Sequence, residues 1–290
     1  MSAMYFETPR AQPTFVAQLA NWLRGATRRM ATGASEPASR SHSTSRFVAT
    51  PGDTVGACGC CADRALARYV SPQVIDRLMA DPDGLSLGGE TRDVTVLFAD
   101  LRGFTALAEA MKDNPRRLND LINAFLDPMT DIVLAHGGTI DKYMGDCVMA
   151  FWGAPHDDLD HARHAFEAAQ AMLLAMDDIN RRVRAAFAGE VDLPTIGIGI
   201  GINSGECVVG NLGSRRRFDY SVLGDPVNIA SRIEGLCKVY NIPLLVGEET
   251  ARRLPDAGLA EIGRITLRGR SEKQWVFSLG ALGPPSEPFQ

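Results

Sequence analysis

The segment VTVLFADLRGFT, Val94 to Thr105, limits what this chain can become more than any other. An apolar run, Val94–Ala99, has strand composition and ends on a single carboxylate, Asp100. Gly103 and a helix start at Thr105 follow at once. A strand that turns directly into a helix belongs to a layered α/β arrangement. Alone, an acid after a strand is ordinarily a helix cap. A second acid changes the reading. Asp146 sits in TIDKYMGDCVMAFWG (139–153), where a Met-Gly-Asp turn separates two strand-like runs, Ile140–Tyr143 and Val148–Trp152. Two strand-end carboxylates can hold hard divalent cations against a triphosphate. The amides from Leu101 through Gly103, Phe104 and Thr105 would head a helix facing a phosphate.

From Thr91 to about Leu282 strands and helices alternate. Helices are expected over Thr105–Met111, Leu118–His136 (closed by Gly137-Gly138 as a C-cap) and Asp160–Phe187. Another runs over Asp225–Val239, with Asp225 as N-cap and Pro226 in its first turn. Thr195–Asn203 and Glu206–Asn211 read as two strands joined by a tight Ser-Gly turn. Pro243–Val246, Ala260–Leu267 and Trp275–Leu279 read as later strands. The fold class is an α/β sandwich (α+β), a ferredoxin-like palm with a mixed β-sheet flanked by helices. No internal repeat is present.

Residues 1–90 differ in composition from 91–282, and 283–290 form a short tail. Residues 31–54 are rich in Ser, Thr, Ala and Pro and read as a flexible linker. Thr14–Met30 reads as a helix with Phe15, Val16, Leu19, Trp22 and Leu23 on one face and Arg24, Arg28 and Arg29 following. Two readings stand for it: peripheral contact with anionic lipid or a partner, or packing on its own protein. Cys58, Cys60 and Cys61 form neither a C-x-x-C motif nor a His-rich set, which leaves a metal or redox site and an ordinary linker both open. Residues 62–80 read as a helix broken at Pro72.

The net charge of −5 gives no support for nucleic-acid binding as the main task. No apolar run approaches the ~20 residues of a transmembrane helix, and the start lacks a signal-peptide layout. The cysteines fit a reducing, cytoplasmic setting better than a disulfide scaffold.

FADLRGFT, KYMGDCVMAF, YSVLGDPVN, NIASRIEG and RITLRGRSEKQWVF occur in the order found in class III nucleotidyl cyclases. From Thr91 to about Leu282 the chain resembles their catalytic domain, and most closely that of an adenylyl cyclase. The resemblance implies that Asp100, Asp146 and the Leu101 carbonyl bind two Mg²⁺ or Mn²⁺ ions. One ion would activate the ribose 3′-hydroxyl of ATP, and the other would hold the β- and γ-phosphates. It implies that Lys142 donates to N1 of adenine and that Asn228 orients the ribose. Arg232 would neutralise charge on the α-phosphate, and Arg268 would meet the triphosphate, with Arg270 a weaker candidate. At Ser221 many cyclases carry an aspartate and one subgroup carries threonine; serine keeps the hydroxyl that accepts from the adenine amino group.

Residues alone leave plainer roles open: Lys142 as a solvated hairpin lysine, Arg232 as a salt-bridge partner of Glu234 or Asp225, and residues 214–217 (SRRR) as a solvated basic patch. Asn228 and Arg232 are four apart and share one helix side, while Ile229, Ile233 and Leu236 lie opposite. The family builds each site from two chains. The resemblance therefore implies a homodimer with two shared sites: Asp100, Asp146 and Arg268 from one copy, Lys142, Ser221, Asn228 and Arg232 from the other. The alternatives are a guanylyl cyclase, a diguanylate cyclase and a silent regulatory module. MGDCV differs from the GGDEF-type turn of the second, and no metal or transition-state residue is lost as the third would require.

Overall fold

The computed structural model describes residues 69–80, 86–188, 194–266 and 273–280. Thr14–Met30, the cysteine cluster at 58–61, Arg268 and Arg270 lie outside them.

The long apolar run becomes β1 (Gly88–Arg102), whose side chains alternate between two cores. Leu97, Ala99 and Leu101 enter one cluster, and Val94, Val96 and Phe98 enter another. Gly103 adopts a left-handed φ of 84°, which turns the chain sharply into helix α2 (Phe104–Ala110). Helix α3 (Pro115–Ala135) follows, opened by Asn114, whose side chain accepts from the Arg117 amide. It closes as expected on Gly137-Gly138. The Gly137 amide donates to Leu134 and the Gly138 amide to Val133, with Gly137 left-handed at φ 74°. The hairpin β2 (Thr139–Met144) and β3 (Cys147–Trp152) comes next, then α4 (His161–Ala186) and β4 (Gly197–Ser214).

These four strands lie in the order β2-β3-β1-β4, with helical crossovers after β1 and β3: the ferredoxin-like arrangement read from the sequence. The mixed sheet continues through β6 (Leu244–Gly247), β8 (Lys273–Leu279) and β7 (Leu259–Thr266), while β5 (Arg217–Leu223) pairs with the far half of β4. Helices α3 and α4 cover one face through Phe125, Met129, Phe166 and Met172. Helix α5 (Asp225–Val239) covers the other, burying Ile229, Ile233 and Cys237.

Several expectations need correction. β4 is one strand through Ser204 and Gly205, not two strands around a turn. The position takes glycine because its φ of 153° disfavours a side chain, and one placed there would meet Pro226 at 2.8 Å. Gly224, not Asp225, caps α5, and Asp225 is its first residue. The strand β5 and the short helix α6 (Glu248–Arg252) have no counterpart in the sequence reading. Residues 214–217 form the exposed β4–β5 connection.

Pro72 opens helix α1 (Pro72–Ala80), and the stretch 62–68 expected to precede it lies outside the described residues. Ser71 Oγ donates to the Ile140 carbonyl at 2.9 Å, and Gln73 donates to the Gly138 carbonyl at 3.1 Å. Arg77 donates to the Tyr220 hydroxyl at 3.1 Å and lies over its ring. The start of α1 is thus tied to both β2 and β5. Among the described residues no helix is long and apolar enough to cross a membrane.

Candidate active site

Strand pairing brings the two predicted acids together. Ala99 of β1 stands opposite Val148 of β3, so Asp100 lies beside the β2–β3 turn that holds Asp146. Burial and the negative charge of Asp100 push the Asp146 carboxyl up to about 6. Burial raises Asp100 as well, partly offset by the Leu101 amide and the charge of Lys238.

A third acid joins them that the sequence reading named only as a salt-bridge partner. Asp100 pairs across the ladder with Gly199, and the Glu234 carboxylate lies over Gly199, 2.7 Å from where a side chain would begin. Burial first, then Asp100, raises Glu234 to about 7, with Arg102 opposing. The donor set suits a hard cation: two half-buried carboxylates and a peptide carbonyl, all oxygen. Among the described residues no three acidic, histidine or cysteine side chains could hold an ion by themselves. That fits ions completed by substrate phosphates, as Mg²⁺ sites commonly are.

The two residues expected to read the base also meet. Lys142 Nζ lies 3.5 Å from Ser221 Oγ, although the residues come from different strands. Sequence reasoning missed the group between them. Asp141 accepts from the Ser221 hydroxyl at 2.7 Å and from the Val222 amide at 3.2 Å. A strand's alternation assigns Asp141 and Lys142 to opposite faces, and only the Asp-Lys neighbourhood itself hinted otherwise.

Helix α5 separates Arg232 from the acids of its own chain. Glu234 and Ala230 face β4, where a side chain at Gly201 would meet the Glu234 amide at 2.3 Å and the Ala230 carbonyl at 2.5 Å. Arg232 precedes Glu234 by two positions, about 200° around the helix. Asn228, one turn earlier, shares the Arg232 side and is exposed. The structure therefore does not bring Asn228 and Arg232 to Asp100 and Asp146 within one chain. Arg102, two residues beyond Asp100 at the end of β1, braces the C-terminal end of α5 by donating to the carbonyls of Cys237 and Ile242.

Comparison with known proteins fits this geometry. The family model for the adenylate and guanylate cyclase catalytic domain matches residues 89–279. The chain belongs to that family. The cyclase domain is 38% identical over 185 residues to an adenylate cyclase of Anabaena cylindrica, a match covering 64% of this chain and 34% of the relative. The chain thus spans between about a quarter and a third of the length of the curated relatives it matches. Among solved structures it resembles the adenylyl cyclase CyaB from P. aeruginosa, with 35% identity and a TM-score of 0.60, covering 66% of this chain and 95% of that one. It also resembles the guanylyl cyclase Cya2, with 32% identity and a TM-score of 0.59, covering 70% and 98%. Catalytic domains of this family use divalent metal ions.

Proposed function

We propose that the chain is an adenylyl cyclase, converting ATP to 3′,5′-cyclic AMP and pyrophosphate. The observation that carries this reading is the meeting of Lys142 and Ser221 at 3.5 Å, beside a domain whose Asp100 and Asp146 stand together. An ammonium suits the N1 acceptor of adenine, and a hydroxyl oxygen accepts from its 6-amino group. Guanine presents the reverse at both positions. Relatives that bear the name adenylate cyclase support the same substrate.

Asp100, Asp146 and the Leu101 carbonyl would hold two Mg²⁺ or Mn²⁺ ions. Such ions, when bound, activate the 3′-hydroxyl and offset phosphate charge. Asn228 orients the ribose, and the Arg232 guanidinium neutralises charge that develops on the α-phosphate as the 3′-oxygen attacks and pyrophosphate leaves in line. The amides of Gly103, Phe104 and Thr105, together with Arg268, receive the triphosphate.

Since Arg232 and Glu234 point about 200° apart on α5, the transition-state residues come from a second copy. The working unit in this reading is a homodimer with two shared sites. Leu223, Val208, Tyr143 and Met144 leave apolar surface exposed around the base-reading strands, as a dimer face requires. Residues 1–90 precede the catalytic unit at 91–282, and 283–290 form a tail. The free thiols Cys207 and Cys237 suit a reducing, cytoplasmic setting.

The test is to incubate purified protein with Mn²⁺ and ATP or GTP, and to measure cyclic nucleotide and pyrophosphate. Cyclic AMP as the main product is expected. Preference for GTP would assign a guanylyl cyclase, and silence toward both would assign a regulatory module.

A further inference from the structure

Strand β2 carries one residue too many. Ile140 stands opposite Ala150 and Lys142 opposite Met149, so Asp141 has no register partner on β3. Successive side chains of an unbroken strand leave by opposite faces. A bulge bends the strand and re-aims them. Here it sends two neighbours to one target on β5. Asp141 Oδ2 accepts from Ser221 Oγ at 2.7 Å and from the Val222 amide at 3.2 Å. Asp141 Oδ1 faces Lys142 Nζ at 3.0 Å, and the Asp141 side chain is 0% exposed.

An ionised carboxylate can only accept. The Ser221 proton is therefore committed to Asp141. A free hydroxyl donates or accepts as its ligand demands, but this one has only lone pairs left to offer. Lys142 beside it offers only protons. The pair presents an acceptor next to a donor, which matches the 6-amino group and N1 of adenine. It opposes the 6-oxo group and N1–H of guanine.

We propose that Asp141, held in the β2 bulge, is the positioning residue that sets base specificity: it locks the Ser221 hydroxyl as an acceptor and holds Lys142 beside it. The pocket then takes a 6-aminopurine nucleotide and refuses a 6-oxopurine. This rests on the adenylyl cyclase reading above. Asp141 acts through Ser221 and Lys142 without touching the nucleotide.

The test compares kcat and KM for Mn²⁺-ATP and Mn²⁺-GTP in the full chain and two variants, with Tm as a check on folding. Asp141→Thr suits a strand, but its hydroxyl ends one bond short of the carboxylate oxygens and donates as readily as it accepts, so Ser221 regains its freedom. The ATP-to-GTP ratio of kcat/KM is expected to fall about tenfold, mainly through KM. Asp141→Asn keeps an acceptor oxygen on Ser221 and Val222, and should hold the ratio within about threefold of wild type. In a Ser221→Ala background, Asp141→Thr should change the ratio clearly less than it does alone, because only the part carried by Lys142 is left. If Asp141→Thr melts below the assay temperature, Asp141→Ser makes the same comparison. A merely structural role would lower turnover of both nucleotides in step and leave the ratio alone. An unchanged ratio in Asp141→Thr, or an equal collapse in Asp141→Asn, overturns the inference while the wild-type cyclase activity still stands. A wild type that cyclises neither nucleotide overturns the functional reading and the inference with it.

Discussion

Asp146 and Glu234 keep protons that a solvated carboxylate would have released. Their carboxyls sit at about 6 and about 7, each raised first by burial and then by neighbouring negative charge. The folded chain therefore binds protons more tightly than the unfolded one. The resulting stability is complete below the ordinary carboxylate range, ~4, and is lost as pH rises through those two values. The metal-free protein should show a Tm that falls between about pH 4 and pH 7. Saturating Mn²⁺ should flatten that slope and release protons on binding, measurable by calorimetry in buffers of different ionisation enthalpy. A Tm that rises with pH over this window would contradict the arrangement of the three acids. At the same scale, Asp100→Ala and Asp146→Ala should each cut cyclic AMP formation by at least about a thousandfold, since the charge stabilisation they anchor is worth several kcal/mol. Circular dichroism should show both variants folded. Substantial Mn²⁺-dependent turnover by either would remove it from the metal site.

Among the elements, α5 matters most, because in the proposed dimer its two sides would serve different chains. Its seat on β4 depends on Gly201, where a side chain would strike backbone atoms of Ala230 and Glu234. Those atoms cannot yield as a flexible side chain can. Gly201→Val should therefore cost about 2–3 kcal/mol and lower Tm by several degrees. It should also depress kcat, since Asn228 and Arg232 ride on the displaced helix. Thermal melts and turnover of the same preparation check both effects. This helix was legible in the sequence, from Pro226 near its start and from Ile229 and Ile233 at core spacing. Its cap was not, because Asp225 has the side chain of an N-cap while the chain turns one residue earlier, at Gly224. The same limit explains the false turn in β4. Ser204-Gly205 has turn composition, yet Gly205 is there to let Pro226 come close, a contact from a distant segment that no local rule reports. Asp100, Asp146 and Lys142 were singled out as candidates by motif and order. Asp141 and Glu234 were passed over because their places beside these residues arise from a bulge and from a ladder partner, both products of pairing between strands far apart in the chain.

At the scale of the whole molecule, the division of labour makes a quantitative claim. Asp100→Ala and Arg232→Ala should each be inactive as homodimers. Mixed in equal amounts with free exchange, half the dimers are heterodimers, and each has one doubly damaged site and one intact site. Recovered activity should approach about a quarter of wild type. Verified subunit exchange with no recovery would exclude shared sites.

The anchoring of α1 gives the base pocket a single handle. Ser71 and Gln73 grip the strand that carries Lys142, while Arg77 grips Tyr220, the neighbour of Ser221. A twist delivered to this one helix shifts both jaws of the pocket in relation to each other, while Asp100 and Asp146, hinged on β1 and the β2–β3 turn, stay outside its direct grip. Loosening the handle with Arg77→Ala should accordingly register as slackened nucleotide capture, a higher KM for ATP at nearly constant kcat. The chain would then be tuned the way a clutch is tuned, by how firmly it engages its load and not by how fast it turns once engaged.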